Sequence, residues 1–309
     1  MKKILVIGST NTDFVLKVGA IPQVGETVMS RSFQQLPGGK GANQAYACGM
    51  LGGRVTFLSA IGEDGLGGVV MENMRRAHVE TRYIRTTNED STGMAVICVD
   101  ETGNNSIVVV PGANLYCDCG YLMDHRDAID MCDILLVQLE VPVEGIFSAV
   151  EYAHKRGKTV ILNPAPCPDS IPDDVLQNVD YITPNETELQ KLTGCRMDCP
   201  EGVREGAETL LRRGAGQVIV TLGSKGAMFC NDSKTEHFPA WQVPVADTTA
   251  AGDTFNGAIA VALAEGKGIE EAIRFANAAS SLAVSRKGAQ TSVPSRAEVD
   301  KFMNDRGGI

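Results

Sequence analysis

One acidic residue stands directly behind three small ones in "DTTAAGDTFNGA" (247–258), where the pattern reads as a helix start. The first turn of a helix presents unpaired N–H groups and the positive end of the helix dipole. Small residues there let an anion, most often a phosphate, approach the backbone closely. Ala250, Ala251 and Gly252 would then cradle the anion, with Asp253 beside it. The competing account is an Asp that simply caps an ordinary helix.

Other stretches carry similar pairs of readings. "PGGKGANQA" (37–45) has the glycines and lysine of a phosphate loop, but Gly41 follows Lys40 where a Walker A sequence needs Ser or Thr. Its glycines suggest close ligand approach before a helix, with Lys40 and Asn43 as donors to hydroxyls; a glycine turn that caps a helix explains it nearly as well. "GSTNTD" (8–13) follows the first apolar run without G-x-G-x-x-G spacing, which weighs against a dinucleotide site. Asn11 and Asp13 offer an amide and a carboxylate to vicinal hydroxyls, or form an Asx-turn. Glu140 ends the apolar run "ILLVQLE", a position natural in a polyol site and unusual in a core. "TPNETE" (183–188) contains the forms of two capping boxes, and Asn185 and Glu188 also share one helical face. "VTLGSKGA" (220–227) lacks G-x-S-x-G spacing, so a loop meeting a nucleotide fits it better than a hydrolase nucleophile.

These residues need elements to position them. Apolar runs at 3–8, 55–62, 134–140, 159–163, 180–183 and 217–223 read as buried strands. Helical patterns fall at about 40–51, 65–77, 143–157, 185–193, 201–213, 252–265 and 269–286. The alternation predicts a three-layer α-β-α fold with a mainly parallel central sheet and its site beyond the carboxyl ends of the strands. Residues 14–36 and 92–112 break the alternation and predict a small antiparallel β lid, the second segment turning at a polar, glycine-containing centre. Two further strands of the main core are the alternative. With no linker or repeat, residues 1–309 are expected to form one domain.

Bulk properties exclude several classes. A chain of 309 residues, 43% hydrophobic and 21% charged, buries a full core. A net charge of -10 without basic runs argues against nucleic-acid or anionic-membrane partners. No apolar run reaches membrane-spanning length, and the N-terminal run is too short for a signal peptide. Nine cysteines without a C-x-x-C pair, and four isolated histidines, give no zinc framework. Reduced thiols in a cytoplasmic protein are expected.

In order and spacing, "GSTNTD", "GGKGANQA", "QLE", "NPAP", "TPNETE", "TLGSKGA", "DTTAAGDTFNGA" and "RKGAQTSVP" resemble the ribokinase-like carbohydrate kinases over about residues 4–303. The resemblance implies ATP-dependent phosphorylation of a sugar, D-ribose at its 5-hydroxyl being the acceptor implied by the stretches most similar to this sequence. It implies Asp253 as base and Ala250, Ala251 and Gly252 as anion hole. Asn11, Asp13, Gly39, Lys40, Gly41, Asn43 and Glu140 would hold the sugar together with Asp253. Asn185, Thr221, Leu222, Gly223, Ser224, Lys225, Gly226, Gly252, Asp253 and Asn277 would contact ATP, and Glu188 would act on Mg²⁺ through water. An activating monovalent cation, K⁺, is implied at Asp247, Thr249, Ala283, Arg286, Gly288 and Ser292; an Asp247–Arg286 ion pair is the simpler account of two of these. A homodimer through the lid is implied by its apolar ribbon. Pro37 precedes the glycine pair, and Tyr46 stands where a small residue is expected, altering acceptor size if it faces the pocket.

Overall fold

A computed structural model describes residues 1–307. The strands are β1 (Lys3–Ile7), β2 (Asn11–Lys17), β3 (Ser32–Gly38), β4 (Arg54–Gly62), β5 (Glu80–Thr87), β6 (Gly93–Val99), β7 (Asn105–Val110), β8 (Ile134–Val137), β9 (Thr159–Leu162), β10 (Tyr181–Ile182), β11 (Gln217–Thr221), β12 (Ala227–Cys230) and β13 (Thr235–Phe238). The helices are α1 (Lys40–Met50), α2 (Gly65–Arg76), α3 (Cys119–Asp124), α4 (Arg126–Met131), α5 (Val143–Lys155), α6 (Asp173–Leu176), α7 (Glu186–Thr193), α8 (Pro200–Arg212), α9 (Ala251–Ala264), α10 (Ile269–Val284) and α11 (Arg296–Asp305). Among the described residues no helix is long and apolar enough to cross a membrane.

Nine strands form the main sheet in the order β13-β12-β11-β10-β9-β8-β1-β4-β5, parallel except for the β11–β12 and β12–β13 pairs. Its central strands are apolar on both faces because each face is covered. Leu5 and Ile7 pack with Leu135, Val137 and Leu162 on the side of α3–α5 and α8. Ile4 and Val6 pack with Ile134, Leu136 and Ile161 on the side of α1, α2, α9 and α10. This two-residue alternation splits one continuous apolar run between two cores. The expected three layers and the six expected strands are all present.

Three strands escaped the sequence reading. β5 and β13 are edge strands carrying charged and polar residues, as in "ETRYIRTT" and "TEHF", which protects an edge while blurring its pattern. β12 pairs antiparallel beside β13 and is only four residues long.

The second sheet, order β3-β2-β6-β7, corrects the antiparallel expectation: it is mixed. β2 pairs antiparallel with β3, and β6 antiparallel with β7, but the central β2–β6 pair is parallel. β2 follows β1 and β6 follows β5, so both leave the main sheet from the carboxyl ends of parallel strands and run out side by side. Their partners return. The expected turn is present between β6 and β7, where Asp100 accepts from the N–H groups of Thr102 and Asn104 and Gly103 has a positive φ. β2 begins at Asn11, not Phe14, which places Asn11 and Asp13 on the small sheet itself.

Candidate active site

The glycine loop meets the first strand through bare backbone. Gly39 precedes α1 with φ 86°, and a Cβ there would lie 2.6 Å from the Asn11 nitrogen. At Gly41 a Cβ would lie 2.6 Å from the Ser9 nitrogen and also meet Gly8. The first N–H groups of α1 find acceptors across this contact. Lys40 N–H donates to Glu140 Oε2 at 2.9 Å, Gly41 N–H to Ser9 Oγ at 3.3 Å, and Ala42 N–H to the Ser9 carbonyl at 2.8 Å. Ser9 Oγ also donates to Glu140 Oε2. Glu140 therefore caps α1 from a distant strand end, as favours a carboxylate at a helix N-terminus. Gly41 is buried, and its contact with the first strand leaves no room for a side chain. Tyr46 packs into the core shared with α9, near Arg76, and does not shape the pocket.

Around this helix start the structure gathers Asn11, Asp13, Lys40, Glu140 and Asp253. Asn11 Oδ1 accepts from Asn114 Nδ2 at 2.7 Å, which leaves its own amide N–H₂ for another partner. Among the described residues no group hydrogen-bonds the Asp13 carboxylate, and its pKa is pushed up to about 6, first by burial, then by the charges of Glu140 and Asp253, with Lys40 opposing. Burial works against the Lys40 ammonium, yet Asp253, Glu140, Glu188 and Asp13 together hold its pKa above the usual value. A cation ringed by carboxylates and open donors suits a polyol.

Asp253 is the third residue of α9. Ala250 turns the chain into the helix at φ 57°, ψ 14°, a left-handed conformation that costs an alanine energy and marks functional turns. The first full helical bond runs from Thr254 N–H to the Ala250 carbonyl at 2.8 Å, while the Gly252 and Asp253 N–H groups have no acceptor within the described residues. A Cβ on Gly252 would meet nothing within 4 Å, so the backbone there is open to close approach. That is an anion hole in form. The Asp253 carboxylate accepts from Asn43 Nδ2 and Gln44 Nε2, each at 3.0 Å. Burial raises its pKa; Lys40 and the two amides counter this, and Glu140 adds to it.

A cleft of about 520 Å³ adjoins the anion hole. Of the expected nucleotide residues, Asn185, Thr221, Gly223, Ser224, Gly226, Gly252 and Asn277 line it. Two do not. The Leu222 side chain is in the core, because alternation along β11 turns it inward. Lys225 is instead paired with Glu186 at 3.4 Å. Asp253 does not line the cleft, although its neighbours Ala251 and Gly252 do. Asn277 Nδ2 donates to the Phe238 and Pro239 carbonyls and so holds the segment leading to Trp241–Val245, a wall the sequence reading missed. Asn185 and Glu188 do form the capping box of α7: Glu188 N–H donates to Asn185 Oδ1 at 2.8 Å and Asn185 N–H to Glu188 Oε2 at 2.9 Å. Burial raises the Glu188 pKa, the Asn185 N–H and Lys40 partly offsetting it.

Behind the anion hole, Asp247 ties two loops together. It accepts from Thr249 N–H at 2.9 Å, Thr249 Oγ1 at 2.7 Å and Gly288 N–H at 2.9 Å. Its own N–H reaches the Val284 carbonyl at 3.2 Å, and the Arg286 N–H bonds the Ala283 carbonyl at 3.0 Å. Ser292 closes the same loop through the Ala289 carbonyl. The simple Asp247–Arg286 pair is absent, since Arg286 binds Glu298 at 2.7 Å. Hydrogen bonds from Thr249 and Gly288 hold the Asp247 pKa below its ordinary value against the effect of burial.

Sequence reasoning passed over Ser9, Gln44, Gln138, Asn163 and Gln290. A signal existed for Gln44: Lys40, Asn43 and Gln44 stand at i, i+3 and i+4 on one face of a helix of otherwise small or apolar residues.

A helix start with free N–H groups beside a cleft, on this α/β scaffold, is the architecture of a kinase, and the chain belongs to the pfkB family carbohydrate kinases, whose pattern matches residues 1–296. It is 40% identical over 302 residues to the ribokinase of Haemophilus influenzae, covering 98% of each chain. To the deoxyribokinase of Salmonella typhimurium it is 33% identical over 301 residues, 97% of this chain and 98% of that one. The structure of Arabidopsis thaliana ribokinase complexed with ribose and ATP shares its fold with a TM-score of 0.91 at 36% identity, covering 97% of this chain and 98% of that one.

Proposed function

We propose that the protein transfers the γ-phosphoryl group of ATP to the 5-hydroxyl of D-ribose. The observation that carries this is the position of Asp253. Its carboxylate bonds Asn43 on the sugar side, and the helix start that carries it borders the 520 Å³ cleft through Ala251 and Gly252. Ribose is favoured over 2-deoxyribose by the higher identity to ribokinases and by the relative solved with ribose and ATP.

Asp253 takes the proton of the 5-hydroxyl as that oxygen bonds to the γ-phosphorus and the bond from phosphorus to the ADP oxygen breaks. Burial brings its pKa upward toward the range of a working base. The N–H groups of Gly252 and Asp253 hold the transferring oxygens, while Asn11, Asp13, Lys40 and Glu140 orient the sugar, the larger part of catalysis in phosphoryl transfer. Mg²⁺ fits near Glu188, which has one carboxylate oxygen outside its capping bond and would reach the ion through water. There it would neutralise phosphate charge. K⁺ fits the oxygen donors of Asp247, Thr249 and the 283–292 loop, which would order the backbone behind the anion hole.

The small sheet serves as the lid of a single domain, because Asn11 and Asp13 lie on its central strand β2. Its outer strand β7 exposes Ile107, Val108, Val109 and Val110, an apolar surface that fits a second copy of the chain. Nine free thiols suit a cytoplasmic setting.

The test is ADP formation with ATP and Mg²⁺ against D-ribose, 2-deoxyribose, fructose and pseudouridine, in Na⁺ and in K⁺. Ribose-dependent turnover raised by K⁺ is expected. Preference for another acceptor overturns the substrate assignment. Asp253→Asn should lose about 10²–10⁴-fold in kcat while still binding ribose and ATP; near-native turnover overturns the mechanism.

A further inference from the structure

The donor to Asp253 Oδ1 belongs to a chain of buried amides. Gln44 is fully buried. Its Nε2 donates to Asp253 Oδ1 at 3.0 Å and to Asn163 Oδ1 at 3.1 Å, so both of its amide protons are used. Its Oε1 accepts from Gln138 Nε2 at 2.6 Å. Asn163 Nδ2 donates to the Thr183 carbonyl at 3.1 Å, which obliges Asn163 Oδ1 to face Gln44. Turning the Gln44 amide over would set its oxygen against two acceptor oxygens and its nitrogen against the Gln138 nitrogen. One orientation works.

The chain is also incomplete. Gln138 Oε1 is buried, packed against Gly8, and has no partner. An unpaired acceptor in a low-dielectric interior destabilises the fold, so a network built for stability alone would pair that atom or be apolar. The unsatisfied end lies just beyond β8; the satisfied end delivers a donor to the carboxylate. Asn43 Nδ2 gives Oδ2 its own donor, and Gln290 Nε2 steadies Asn43 Oδ1 at 3.3 Å. Each carboxylate oxygen thus has one amide donor, both from α1.

We propose that Gln44 is the positioning residue that aims the Asp253 carboxylate, with Gln138 and Asn163 fixing its amide. The proposal rests on Asp253 being the base. The charged groups around Asp253 are Lys40 on α1, Asp13 on β2, Glu140 beyond β8 and Glu188 on α7; none of them hydrogen-bonds its oxygens. Loss of the Gln44 donor leaves the ionised carboxylate less favourable, so the base protonates at higher pH.

The experiment measures kcat and the sugar KM from pH 5 to 9, with ATP saturating, in the intact enzyme and in Gln44→Met, which keeps the volume and removes the donor. The expected result is a kcat lower by about 10–100-fold, a sugar KM within about threefold, and an acidic limb of the kcat profile about one pH unit higher. Saturating sugar keeps titration of Asp13 in KM. Gln138→Met covers the case in which Gln44→Met does not fold: it leaves the carboxylate untouched but frees the Gln44 amide, and should move the limb the same way by less. An acidic limb that stays in place in every variant that folds, or a kcat that does not fall, overturns the proposal. Asp253→Asn separates the two readings. If it retains turnover, the base assignment has failed; if it loses turnover while the Gln44→Met limb stays in place, only the positioning role has.

Discussion

Asp13→Asn should make the sugar-free protein more stable while weakening its hold on the sugar. The Asp13 carboxyl has a pKa of about 6 against an ordinary 3.8, first because burial strips its water and then because Glu140 and Asp253 repel its charge. The attraction of Lys40 is already contained in that net value. A pKa raised on folding means that the folded state disfavours the ionised group. Its stabilising contribution is complete below pH 3.8 and is lost as pH rises through about 6. At 1.36 kcal/mol per pH unit the full loss is about 3 kcal/mol, and cleft water reduces the expected effect to about 1.5–3 kcal/mol. Asparagine has the same shape and no charge, so the variant escapes this loss. For a chain of this size that is an increase in Tm of about 3–6 °C at pH 8, closing toward zero near pH 4. The sugar KM should rise about 10–100-fold, the cost of replacing a charged acceptor by a neutral amide. In the native enzyme the sugar KM should climb as pH falls below about 6, because the protonated carboxyl accepts less well. Thermal melts at pH 4.5, 6 and 8, with and without sugar, read all of this. A variant that melts at or below the native protein at pH 8 without sugar refutes the reasoning, as does a gap that fails to shrink in acid.

Two other perturbations test the scaffold. Gly41→Ala would drive a Cβ to 2.6 Å from the Ser9 nitrogen and into Gly8, both rigid backbone, so the protein should lose about 1–3 kcal/mol or more; an unchanged denaturation midpoint would show that this helix does not need the close approach. A charge on the exposed face of β7, as in Val108→Lys, should convert a dimer in light scattering to a monomer with the fold intact by circular dichroism; a monomeric native protein refutes the interface.

The sequence made the start of α9 legible because its pattern is local. Three small residues and an Asp at a helix start carry both the backbone donors and the charge, and Ala250 through Asp253 stand where that pattern places them. Core strands were equally plain, since both-face burial writes them as continuous apolar runs. Edge strands such as β5 disguise themselves with charge, and the parallel β2–β6 pairing depends on where two strands leave the main sheet, which no local pattern encodes.

What stayed hidden is the part that makes Asp253 more than a capped helix residue. Gln44 meets Asp253, Asn163 and Gln138 only after separations of 209, 119 and 94 residues are closed by the sheet. Glutamine is unremarked on a helix when exposed and conspicuous when buried, and burial is the property a loop-and-spacing reading does not see. Lys40, Asn43 and Gln44 form the one polar stripe on a helix that must bury its small residues against α9. Such a stripe has to face other polar groups or water. Here it faces Asp253, and the same constraint that packs α1 tightly by Gly41 and Ala42 brings its amides within reach of the carboxylate. Packing and orientation of the Asp253 carboxylate are therefore one device, which is why a methyl group at Gly41 and an isosteric change at Gln44 should both be felt at Asp253, the first through the backbone and the second through a single hydrogen bond.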